Sequence, residues 1–106
     1  MLTVLIMPIA EVDIDKAYEW WRDNRSAEQA NRWYSEIFQA MLGLSTSATR
    51  RPQSPEAANL GVDLRELYFG IGTHPTHRVV FIIEEKTVRV LRVRQLSRGR
   101  LKASDF

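Results

Sequence analysis

Apolar and polar positions change their period twice along the chain. Leu2 to Met7 is a short apolar run stopped by Pro8, which reads as a buried first strand. From Pro8 to about Asn24, Ile14, Ala17, Tyr18 and Trp21 recur at three- and four-residue intervals, with Asp13, Asp15, Glu19 and Arg22 on the other side. That spacing predicts an amphipathic helix with Pro8 in its first turn and acids toward its N-terminus. Ser26-Ala27-Glu28-Gln29 has capping-box spacing and opens a second helix. Its stripe of Ala30, Trp33, Tyr34, Ile37, Phe38, Met41, Leu42 and Leu44 is a packing seam, and the short connection makes the pair an antiparallel hairpin.

Beyond the hairpin, Thr49 to Asn59 holds two prolines and few apolar residues, the signature of a surface connection. After Gly61 the period shortens. Val62 to Phe69 reads as a strand ending in the turn GIGTHP. His77 to Glu84 carries the continuous run Val79-Val80-Phe81-Ile82-Ile83, and Val88 to Leu96 alternates. Glu84-Glu85-Lys86-Thr87 between the last two is a tight hairpin turn. The predicted order is β-α-α-β-β-β, an α+β domain over residues 1–106 with a helical hairpin packed on a small, mainly antiparallel sheet. The unbroken run in the middle strand calls for cover on both faces or pairing on both edges, so the second sheet face is expected to be shielded or offered to a partner.

Composition narrows the function classes. The 106 residues are 44% hydrophobic and 26% charged, enough for one core and too few for two ordinary domains. The absence of Cys removes disulfides, Cys-zinc sites and thiol chemistry, and fits a cytoplasmic protein. The apolar opening lacks the basic start and length of a signal peptide, and no run approaches a membrane span, so no membrane association is expected. No phosphate-binding P-loop, dinucleotide fingerprint or nucleophile elbow occurs. His74 and His77 have no matching acid cluster downstream, so neither a metal nor a cofactor is expected.

Charge is segregated. Residues 1–61 hold six Lys/Arg and eight Asp/Glu, residues 62–106 nine and five, and Arg89 to Lys102 contains six basic residues and no acid. Such a stretch attracts an anionic partner, nucleic acid or an acidic protein. Strict alternation puts Val88, Val90, Arg92 and Arg94 on one face and Arg89, Leu91, Val93 and Gln95 on the other, with Arg92 and Arg94 roughly 7 Å apart, the spacing of neighbouring phosphates or carboxylates. Solvated arginines on an exposed face are the alternative. If the second and third strands are adjacent, Arg65, Arg78 and Arg98 or Arg100 converge at one end of the sheet, where they could bind a phosphodiester and stabilise charge on its oxygens. His74, His77, Tyr68 and nearby carboxylates are the candidates for proton transfer.

The segment DLRELYFGIGTHPTHRVVFIIEEKTVRVLRVRQLSRGRL resembles the C-terminal half of the ParE/RelE superfamily of bacterial type II toxins, often labelled plasmid stabilisation system proteins. An Arg-bearing strand (Leu64-Arg65-Glu66-Leu67), a YRVVF-like strand (His77-Arg78-Val79-Val80-Phe81), an acidic turn and a VxVLxVxH-like strand follow one another. MLTVLIMPIAEVDIDKAYEWW resembles the family opening. The likeness spans nearly the whole chain. It implies a growth-arresting toxin neutralised by a cognate antitoxin, with either the ribosome and mRNA as target in RelE-like nucleases or DNA gyrase in ParE-like members. Arg78 matches the strand arginine such nucleases place on the phosphate, Arg65 a frequent basic position, and Arg98 lies near their post-strand catalytic arginine.

Two departures weigh against nuclease activity. Gln95 stands where many relatives have a His, and the C-terminal Tyr used in proton transfer is missing from Lys102-Ala103-Ser104-Asp105-Phe106. The ParE-like branch, a gyrase inhibitor acting by contact through Arg92, Arg94, Arg98 and Arg100, is therefore the favoured expectation. A RelE-like mRNA endoribonuclease using Arg65, Arg78 and Arg98 is the alternative, and a basic α+β domain with an unrelated partner is the third.

Overall fold

The computed structural model describes residues 1–106 and has the expected order of main elements. Strand β1 is Thr3–Ile6, helix α1 Pro8–Asn24 and helix α2 Ala27–Leu42. Two single helical turns follow, α3 at Leu44–Ser47 and α4 at Ala57–Leu60, then β2 at Arg65–Phe69, β3 at His77–Glu84 and β4 at Thr87–Gln95. Local chemistry sets these limits. Pro8 occupies the first turn of α1, and the Ser26 hydroxyl accepts a hydrogen bond from the Gln29 amide at 3.1 Å, which closes the start of α2. Helix α2 ends at Leu42, two residues before the predicted stripe does, and Leu44 packs from the next turn instead.

The sheet order is β1-β4-β3-β2. Strand β1 runs parallel to β4, and the other two pairings are antiparallel. The hairpin turn between β3 and β4 is the polar pair Glu85-Lys86, with Glu85 at φ 56°. In the loop between β2 and β3, a side chain on Gly70 would collide with the backbone of His74 and Pro75, so only glycine allows that close approach. Arg32 of α2 pins the same loop through the Ile71 carbonyl at 2.8 Å.

Both helices lie on one sheet face. Ala10 and Ile14 from α1 and Trp33, Ile37 and Met41 from α2 meet Val79, Phe81, Val88, Val90 and Val93 in the main core. Each large side chain so buried contributes about 1.5–3 kcal/mol. A smaller cluster of Ala57, Leu64, Val80 and Leu101 seals the opposite face, with Leu60, Ile82 and Leu91 against it. The middle strand is thus both covered on two faces and paired on two edges. Its second cover comes from the Thr49–Asn59 connection, which is not merely a surface link, because Ser54, Glu56 and Ala57 are buried. The strand expected from Val62 starts only at Arg65.

Strict alternation fails on β4. Val80 pairs with Arg92 but Phe81 pairs with Val90, so Leu91 is an extra residue at a β-bulge. The bulge resets the parity: Val88, Val90 and Val93 all enter the main core, and Leu91 joins the second cluster. Arg92 and Arg94 therefore do not share a face with Val88 and Val90. The expected convergence of arginines also fails, since Arg65 pairs with Phe81 and Arg78 with Tyr68, toward opposite ends of the ladder and on alternate faces.

Candidate functional site

Strand β1 pairs with β4 only as far as Val90, which leaves the rest of that β4 edge without a strand. Helix α1 passes beside it and supplies Asp13. The Asp13 carboxylate accepts from the Val93 amide at 3.0 Å and from Arg92 Nε and Nη2 at 2.7 and 2.8 Å. One carboxylate so caps a strand edge and fixes a guanidinium. Hydrogen bonding to Asp13 raises the Arg92 pKa further, and Arg92 Nη1 also donates to the Asp105 carbonyl at 2.6 Å.

Between α1 and the end of β4 lies a cavity of about 240 Å³. Lys16, Ala17 and Trp20 of α1 form one wall, and Arg92, Val93, Arg94 and Gln95 of β4 the other, with Arg98 and His77 completing it. Arg94 stands 3.8 Å from the Asp105 carboxylate, while its Nε is buried without a partner. The four cations face one lining acid, Asp13. The structure thus brings Arg92, Arg94 and Arg98 together. Arg100 lies elsewhere, 3.5 Å from the Pro55 carbonyl.

His77 sits opposite Gln95 in the β3–β4 ladder, only 3% exposed, with its ring 5.1 Å from that of Trp33. Burial pushes its pKa down to about 4, so the ring is neutral at pH 7. Nδ1 lies 2.8 Å from the Thr76 hydroxyl, and Nε2 has no partner. His74, in the loop, is exposed.

On the opposite sheet face Arg78 is 6% exposed and closed in by carboxylates. Nη1 donates to Glu56 Oε1 at 2.8 Å and Glu66 Oε1 at 3.1 Å, and Nη2 pairs with Glu56 Oε2. The Arg78 hydrogen bond holds the Glu56 carboxyl at about 2 against the opposing effect of burial, helped by the Leu101 amide at 2.8 Å. Arg65 braces the connection, donating to Asp63 and to the Thr49 and Arg51 carbonyls. Arg78 and Arg65 are both spent on the fold. Sequence reasoning did not single out Lys16, Trp20 or Asp13 as site residues, and Asp13 and Glu56 act on partners distant in sequence. No group of three or more His, Asp or Glu side chains is placed to hold a metal ion.

The family model for the ParE toxin of the type II toxin-antitoxin system parDE matches residues 4–99. The chain belongs to that family. A solved chain described as the chromosomal ParDE toxin-antitoxin system from P. aeruginosa has the same fold, with a TM-score of 0.69 and 17% identity over 90% of this chain and 96% of its own. A search of curated proteins gave no match. Membership in the ParE family makes this chain a type II toxin. No helix is long and apolar enough to cross a membrane.

Proposed function

We propose that this ParE-family toxin, acting as one domain over residues 1–106 in the bacterial cytoplasm, arrests growth by binding DNA gyrase and is neutralised by a cognate antitoxin. The observation that carries the choice of target is the state of Arg78. A nuclease would need that guanidinium on the scissile phosphate, and here it is buried against Glu56 and Glu66. A binding toxin needs only exposed basic side chains, and Arg98 and Arg100 supply them beyond the end of β4, while Arg94 lines the cavity.

The antitoxin reading is supported by the outer groove of the hairpin. Tyr18 and Tyr34 stack edge to face at 5.6 Å, Phe38 lies 4.8 Å from Tyr34, and Ile9, Val12, Tyr34 and Leu42 are each at least 40% exposed. The groove between the helices is lined by Ile14, Tyr34 and Phe38 with Glu11 and Asp15 on its α1 side, so the apolar face of an amphipathic segment that folds on binding suits the groove and its acids suit the basic strand end.

Inducible expression in a bacterium without the neighbouring gene tests the target. Loss of plasmid supercoiling and DNA breaks are expected alongside growth arrest. Codon-positioned mRNA cuts with intact DNA would transfer the function to the RelE-like nuclease. Failure of a small acidic protein encoded beside the gene to co-purify would remove the antitoxin reading.

A further inference from the structure

Six buried side-chain polar atoms in the chain have no hydrogen-bond partner, and three of them, Arg94 Nε, His77 Nε2 and Trp21 Nε1, belong to residues around two adjoining hollows. Buried polar groups are nearly always satisfied, so three unsatisfied nitrogens packed behind the walls of these hollows mark a site whose polar complement is incomplete. The first hollow is the cationic cavity of about 240 Å³, and the second, of about 360 Å³, shares Trp20, His77 and Gln95 with it. Their chemistry differs. Lys16, Arg94 and Arg98 line the first, whereas Trp20 and Trp21 line the second, with Arg25 placed 5.7 Å over the Trp20 ring.

The geometry points to a nucleotide phosphomonoester as the ligand of this double hollow, its phosphate among Lys16, Arg94 and Arg98 and its base against Trp20. Three arguments converge on that class. Arg92 is already matched by Asp13, but Lys16 and Arg98 form no ion pair and Arg94 has only the 3.8 Å contact to Asp105. The uncompensated positive charge suits a dianionic monoester better than a singly charged diester. Each hollow alone is at or below the smaller end of small-molecule sites, and the two together lie inside that range. An indole at the junction offers a stacking surface for a base, with a cation on it. This inference does not depend on which macromolecule the toxin arrests.

Titration of the purified toxin with AMP in phosphate- and sulfate-free buffer, followed by NMR of the His77, Arg94 and Trp21 side-chain N–H signals, tests it. AMP is expected to shift those signals, to bind more tightly than inorganic phosphate, and to lose about tenfold in affinity in Arg98→Gln. Arg98 is exposed, so that variant keeps the fold, and Trp20→Leu is expected to reduce AMP to the affinity of phosphate. A dinucleotide lacking a terminal phosphate is the diester control. Its binding as tightly as AMP would overturn the monoester assignment, as would shifts absent for every probe or unaffected by Arg98→Gln. A 5′-phosphorylated oligonucleotide outcompeting AMP would identify the source as a strand end, and AMP outcompeting it would identify a free nucleotide.

Discussion

Asp13 and Arg92 lie 79 positions apart and form a two-pronged ion pair that ties the second turn of α1 to the unpaired edge of β4. Both side chains are mostly buried, at 12% and 14% exposure, and Asp13 serves the Val93 amide as well. The pair therefore positions the wall of the cationic cavity and closes a sheet edge open to aggregation.

Removing one partner of such a pair strands the other. Asp13→Ala is expected to destabilise the toxin by about 2–4 kcal/mol, read from the urea midpoint at constant m-value. A double-mutant cycle with Arg92→Ala should return a coupling energy of about 1–3 kcal/mol, and additivity of the two losses would refute the link.

Arg78 leads to a sharper contrast. As a catalytic residue it would tolerate Arg78→Ala without loss of fold. Because Glu56 and Glu66 would be left buried together without their cation, Arg78→Ala should instead cost about 3–5 kcal/mol. Adding Glu56→Gln and Glu66→Gln to Arg78→Met should restore much of that stability. Thermal melts and growth arrest measured on the same variants decide: an Arg78→Ala toxin with an unchanged melt but no toxicity would restore the nuclease reading.

How much of this was legible in the sequence depends on the range of the interaction. Pro8, the Ser26–Gln29 cap and the Glu85-Lys86 turn act within a few residues, and their elements form where expected. The faces of Arg92 and Arg94 were misassigned because the bulge at Leu91 is set by pairing with β3, which alternation within β4 cannot register. Glu56 looked like a polar loop residue because its burial depends on Arg78, 22 positions away. Asp13 has the place of a helix acid, and only the docking of α1 turns it into a strand-edge cap. The cluster of Arg92, Arg94 and Arg98 was visible as charge, while the α1 wall facing it was not.

Acid should destabilise this toxin in two pH windows. His77 has its folded pKa lowered to about 4 from 6.5, so between those values the unfolded chain binds the extra proton and stability falls as pH falls. Its contribution is complete above pH 6.5 and is on the order of 3 kcal/mol. Glu56, lowered from 4.5 to about 2, adds stability present above pH 4.5 and lost as pH falls toward 2. His77→Phe should flatten the stability profile between pH 6.5 and 4.5 and leave the lower limb in place. A wild-type profile flat from pH 7 to 4.5 would contradict the buried neutral imidazole.

Charge reversal separates surface from scaffold among the arginines beyond the bulge. Arg98 and Arg100 are exposed and form no ion pair, so Arg98→Glu and Arg100→Glu should each shift stability by no more than about 0.5 kcal/mol. Arg92→Glu sets a second carboxylate against Asp13 and should cost more than 2 kcal/mol, on the order of a broken buried pair. If the basic end of the molecule contacts the target, the Arg98 and Arg100 reversals should lower toxicity with melting temperature and antitoxin binding unchanged. Toxicity retained in the double reversal would remove these two side chains from the target contact and leave Arg94, inside the cavity, as the remaining candidate.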